Sequence, residues 1–128
     1  MGMPAAKQGD QIVALDTHIV ITPAGVPTPV PLPFAGQLDG GLSSDVNIMG
    51  KAAATAGSTA GNSPAHVPPP GTSFQKPPAN KGTVKAGSAK VKINGKEAAR
   101  NGDAAETCND PADRPVGKVI AAGTVMIG

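Results

Sequence analysis

A six-residue phrase occurs three times in this 128-residue chain, and no other feature constrains the fold as strongly. It reads Ala5-Ala6-Lys7-Gln8-Gly9-Asp10, then Ala53-Ala54-Thr55-Ala56-Gly57-Ser58, then Ala98-Ala99-Arg100-Asn101-Gly102-Asp103. The second and third copies extend upstream in register: Val46-Asn47-Ile48-Met49-Gly50-Lys51 matches Val91-Lys92-Ile93-Asn94-Gly95-Lys96 at an offset of 45, with eight identities over sixteen aligned positions. Thr124-Val125-Met126-Ile127-Gly128 reads as the start of a further copy that stops at its glycine.

Each upstream phrase alternates β-branched and polar residues and then meets Gly, the pattern of a short half-buried strand ending in a turn. The Ala-Ala pair that follows suits a place where backbones converge, and the Gly-Asp or Gly-Ser after it suits a second tight turn. The expectation is an all-β domain spanning 1–128, built of short β-hairpins in pseudo-threefold repeats. Composition agrees. Seventeen Gly and fourteen Pro, about a quarter of the chain, exclude a helical bundle. Val, Ile, Leu and Phe total only 24 residues and there is no Trp or Tyr, so side-chain volume alone gives a thin core. A small domain so built needs a staple, and a single Cys excludes an internal disulfide.

Two long connections, about 23–45 and 59–81, show no helical periodicity and read as Pro/Gly-rich loops. The first contains Val26-Pro27-Thr28-Pro29-Val30-Pro31-Leu32-Pro33-Phe34, with Pro at every second position. In an extended chain the four rings fall on one face and the apolar side chains on the other, and the missing N–H groups restrict the segment to an edge or cover. No two prolines lie three apart, which argues against a polyproline ligand. The net charge of +2 is scattered and no aromatic is placed to stack on bases, so nucleic acid is not an expected partner. No run of 18 apolar residues is present and the N-terminus lacks an apolar export segment, so the expected starting compartment is the cytoplasm.

The rare residues sit in register with the repeat. His18 stands eight residues after Asp10 and His66 eight after Ser58, while Cys108 follows Asp103 by five. Three repeats about a pseudo-threefold axis would gather three equivalent loops at one end, each with one metal-ligating side chain. Structural zinc is the expected ion because it accepts His and Cys together; iron is the alternative. The metal ligands read from sequence are therefore His18, His66 and Cys108, with Asp16, Asp110 and Asp113 near enough in sequence to supply a fourth. A three-ligand ion with an open position would instead suit a small metal-dependent hydrolase, with Glu106, Asp16 or Asp110 as base. So small and Ala/Gly/Pro-rich a chain leaves little for a walled pocket, and no P-loop, C-x-x-C or nucleophile elbow occurs.

These phrases together resemble the PAAR-repeat family: Ala-Ala-x-x-Gly-Asp after a Val-x-Ile-x-Gly-Lys strand, with His and Cys in the apex loops. The Val-Pro-Leu-Pro-Phe run resembles its PAAR-like branch. The resemblance covers essentially the whole chain. It implies a non-enzymatic β cone, present as a monomer, that caps a trimeric VgrG-like spike protein with one copy per trimer. The setting is a contractile injection machine such as a type VI secretion system, phage-like tail or extracellular injection particle. It further implies a zinc-type metal near the sharp end, piercing of an envelope with transient membrane contact, and delivery outward on firing. With Gly128 directly after a strand phrase, any effector cargo is expected to be a separate chain.

Overall fold

A computed structural model describes residues 2–128, and among them every regular element is a strand. The three Ala-Ala phrases meet. The Ala6 N–H donates to Ala99 O, the Ala99 N–H to Ala54 O, and the Ala54 N–H back to Ala6 O, a closed ring of bonds 2.9–3.0 Å long. Ala5, Ala6, Ala53, Ala54, Ala98 and Ala99 are all buried there, and only a methyl-sized side chain lets three backbones approach so closely. Each Gly-Asp or Gly-Ser turn closes identically, with the N–H of Asp10, Ser58 and Asp103 donating to the carbonyl three residues back.

A short antiparallel hairpin stands before each phrase. β4 (Asn47–Ile48) pairs β5 (Lys51–Ala52), and β9 (Lys92–Ile93) pairs β10 (Lys96–Glu97). The third is made from distant parts of the chain, because β1 (Met3–Pro4) pairs β13 (Met126–Ile127). The Thr124–Gly128 phrase thus supplies the hairpin strand that the first copy lacks upstream; it completes that copy rather than starting another. Ile48, Ile93 and Ile127 form one apolar cluster with Ala5, Ala53 and Ala98, flanked by Val46 and Val91.

From the ring, three strands run in one direction: β2 (Gln11–Ile21), β6 (Thr59–Asn62) and β11 (Ala104–Thr107). They alternate with β3 (Pro27–Gly40), β8 (Lys81–Val84) and β12 (Arg114–Ile120). The order β2-β3-β6-β8-β11-β12 closes on itself through β12–β2 pairing, giving a six-stranded antiparallel barrel. β7 (Ser73–Phe74) adds a seventh strand at the far end of β2.

The barrel replaces part of what the sequence reads as loop. Residues 27–40 form a 14-residue strand whose residues 27–37 pair with β2 in unbroken register, and the second connection contributes β6, β7 and the start of β8. The Pro run can be a strand because its pairing partner needs donors only from alternate residues. Ala35 directs its N–H away from β2, to Asn62 Oδ1, so the prolines on the same alternation forfeit only outward donors. β6 covers that outer edge only from Gly36, which leaves the Pro-rich half as the edge that the missing N–H groups require.

The barrel core is Ile12, Phe34, Leu38, Val84 and Val119 with Ala60, Ala105 and Cys108. Phe34 spans the interior because Gly82 leaves it room: a Cβ on Gly82 would lie 3.2 Å from the Phe34 ring and 3.3 Å from Ile12. The staple now has a place, since the thin core ends where the buried polar residues begin.

Candidate metal centre

Period-two alternation in β2 turns Ile12, Asp16, His18 and Val20 inward, so a carboxylate and an imidazole two residues apart share one face. His18 therefore lies within a strand and not in an apex loop, a correction to the sequence expectation; His66 and Cys108 do lie just beyond β6 and β11. Cys108 follows directly on the end of β11 and joins the cluster five residues after Asp103, where His18 and His66 each come eight residues after their turns. Three strands thus converge on one point.

One donor atom from each of Asp16, His18, His66 and Cys108 lies within 4.8 Å of every other. His66 Nε2 is 2.8 Å from Asp16 Oδ2, and Cys108 Sγ is 3.5 Å from the same oxygen. The imidazoles of His18 and His66 have centroids 5.0 Å apart. Tetrahedral donors held about 2.0–2.3 Å from an ion would be separated by roughly 3.3–3.8 Å, so this spacing is close to a chelating one.

Polar neighbours orient the set. Thr107 Oγ1 donates to Asp16 Oδ1, leaving Oδ2 turned toward the cluster. Asn62 Nδ2 lies 3.2 Å from His66 Nδ1, and Asn80 Oδ1 accepts from both the His66 N–H and Asn62 Nδ2. Asn109 and Asp110 strap the loop after β11 to β2, with Asn109 Oδ1 accepting from the Thr17 N–H and Asp110 Oδ2 from the Ile19 N–H. Phe34 and Phe74 stand edge-on to His66 and His18 and wall the site.

Burial makes this arrangement costly without a cation. Asp16 and His18 are almost completely inaccessible, and among the described residues no lysine or arginine pairs with Asp16 or Asp110. Both ring nitrogens of His18 are buried without a hydrogen-bond partner, although Asp110 Oδ2 lies 3.4 Å from Nδ1. A buried orphan of this kind costs about 1–3 kcal/mol, and a metal ion would satisfy it. Burial, and then the Asp16 charge, push the Cys108 thiol above its ordinary value, while hydrogen bonds from the backbone at Asn80 and Lys81 pull it down. A cation held by the same four side chains would outweigh both influences by its attraction for the thiolate. The donor set therefore fits a metal ion.

His18, His66 and Cys108, in register in the sequence, are together in space. Of the three candidate fourth donors only Asp16 belongs to the cluster: Asp110 stands behind His18, and Asp113 is exposed. Glu106 lies apart, 3.9 Å from Lys85. Thr107, Asn62, Asn80 and Asn109 carried no signal of their own in the sequence. Asp16 did, because the apolar alternation of 12–20 places it on the face of His18. No family model matches the chain, and neither a curated protein nor a solved structure does.

Proposed function

We propose that this chain is a PAAR-like spike tip: one copy caps the blunt end of a trimeric VgrG-like spike in a contractile injection machine and narrows it to a metal-stapled point. The observation that carries the reading is the hydrogen-bonded ring of Ala6, Ala54 and Ala99, in which equivalent residues of three repeats make equivalent bonds. A single chain with this pseudo-threefold face can match a trimer without breaking its symmetry. Ile48, Ile93 and Ile127 sit at that end in equivalent places, each 6–7 % exposed, with Met49 and Met126 more than half exposed beside them.

The work is mechanical. Sheath contraction would load the barrel along its strands, and three strands that converge on a thin core would splay under that load. One ion held by Asp16, His18, His66 and Cys108 cross-links β2 to the segments after β6 and β11. Zinc is the preferred ion because the set mixes imidazole, thiolate and carboxylate; iron is the alternative. Structural zinc stabilises a small domain by on the order of 10 kcal/mol. In this reading the protein waits in the cytoplasm as a monomer until it is assembled and fired. A hydrolase is disfavoured because four protein donors leave no open position on a tetrahedral ion, and the donors are walled by Phe34 and Phe74. The test is native mass spectrometry of the chain mixed with its trimeric spike: a 1:3 complex is expected, and a chain that stays free or forms its own trimer contradicts the reading.

A further inference from the structure

The aspartates that are not fully exposed divide by partner. Asp10 and Asp103 pair with Lys7 and Arg100 across their own turns. Asp16 and Asp110 lie within ion-pair distance of imidazoles alone, Asp16 of His66 and Asp110 of His18. Asp16 is a donor of the cluster. Asp110 is not: its carboxylate falls outside the set of atoms that lie within 4.8 Å of one another, so it meets the His18 ring from the side away from the other three donors.

What Asp110 does for the fold needs no charge. Its Oδ2 accepts from the Ile19 N–H at 2.9 Å and its own N–H donates to Thr17 O at 2.8 Å, so it grips β2 on both sides of His18. Its neighbour Asn109 makes the same kind of contact with an amide, Oδ1 accepting from the Thr17 N–H. An amide at position 110 would hold the strap equally well without the cost of a desolvated anion, since the Asp110 side chain is only 6 % exposed. The charge therefore answers to another group within reach. Among the described residues the buried side-chain atoms without a hydrogen-bond partner are the two ring nitrogens of His18, and Asp110 Oδ2 lies 3.4 Å from Nδ1.

His66 shows how an imidazole is presented here. It turns Nε2 to the cluster, 2.8 Å from Asp16 Oδ2, and keeps Nδ1 for Asn62. With Nδ1 facing Asp110, His18 is left to offer Nε2 in the same sense. A neutral imidazole that gives one nitrogen to an ion carries its proton on the other, and a carboxylate behind that nitrogen fixes both the tautomer and the orientation of the ring.

We propose that Asp110 is the positioning residue of the candidate centre: its carboxylate takes the Nδ1–H of His18 and so commits Nε2 to the ion. This role rests on the metal-stapled part of the tip reading and is independent of the spike. The test uses the full chain, stripped of metal and reloaded with one equivalent of zinc. The chain has only two histidines, so proton–nitrogen correlation spectra resolve both rings. In the loaded wild type His18 should carry its proton on Nδ1 and bind through Nε2. Asp110→Asn keeps an acceptor oxygen without the charge; the tautomer should persist, with the Nδ1–H resonance moved upfield. Asp110→Ala should lower zinc affinity about 10–100-fold in competition with a chromophoric chelator, and Asp110→Asn should fall between it and wild type. Zinc bound through His18 Nδ1 in the wild type overturns the proposal, and that readout needs no substitution to fold. So does an Nδ1–H resonance that does not move in Asp110→Asn, or an undiminished affinity in Asp110→Ala. A wild-type chain that takes up no zinc would sink the metal reading and this role with it. One equivalent taken up without these signatures would sink the role of Asp110 alone.

Discussion

A single hydroxyl holds the buried carboxylate of the cluster in place. Thr107 Oγ1 is the hydrogen-bond donor to Asp16 Oδ1, and the residue is itself fully buried. Thr107→Val keeps the shape and removes the donor, so metal affinity should fall about 10–100-fold, the usual cost of losing an orienting partner, as read by competition with a chromophoric chelator. An undiminished affinity would show that Asp16 is not held through this bond. The thiol gives a second handle. In the metal-free protein the raised value of Cys108 means that the folded state holds this proton more tightly than the unfolded chain does. That stabilisation is full below the unfolded thiol's ordinary value and is lost as pH rises through the folded one. The urea midpoint of the metal-free protein should therefore fall in alkaline solution, and Cys108→Ser should abolish that slope. Register with the repeat made the two histidines and the cysteine legible; Asp16 was only one of three acids near in sequence, although the alternation across β2 places it alone on the face of His18. The orienting residues were not legible, because Thr107, Asn62 and Asn80 become neighbours of the site only when β11, β6 and the segment before β8 close the barrel.

At the scale of elements, the hairpin built from both ends of the chain carries a prediction. Ile48, Ile93 and Ile127 occupy matching places in one cluster, so truncating each to Ala should cost a similar amount, about 2–5 kcal/mol in denaturant unfolding. If Ile127→Ala were neutral while the other two were costly, β13 would not belong to the cluster. The hairpins were readable from Val-x-Ile-x-Gly because local alternation and turn chemistry specify them. The barrel strands were harder. Residues 27–40 carry a proline at every second position of the first half, a pattern that reads as loop unless the alternation is matched to a partner that supplies its own donors. β6 and β8, of four residues each, include Gly61 and Gly82 and owe their strand character to non-local pairing.

For the whole molecule, the balance between a thin core and a buried polar end is the governing fact. Alanine supplies much of the packing, and Phe34 is the one aromatic in the barrel core, so a metal cross-link among the three strands would carry an unusual share of the stability. Chelation at neutral pH should lower the thermal midpoint by more than about 10 °C, given that 1 kcal/mol shifts a small domain by several degrees. The far-ultraviolet spectrum should keep its strand character, and a helical spectrum in either state would contradict the fold. Whether one ion joins all three strands at this end is decided by quantitative elemental analysis of the purified protein. One equivalent of zinc or iron per wild-type chain is expected, with complete loss in each of Asp16→Ala, His18→Ala, His66→Ala and Cys108→Ala. A wild-type chain without stoichiometric metal, or a full equivalent retained after any of these changes, would contradict it.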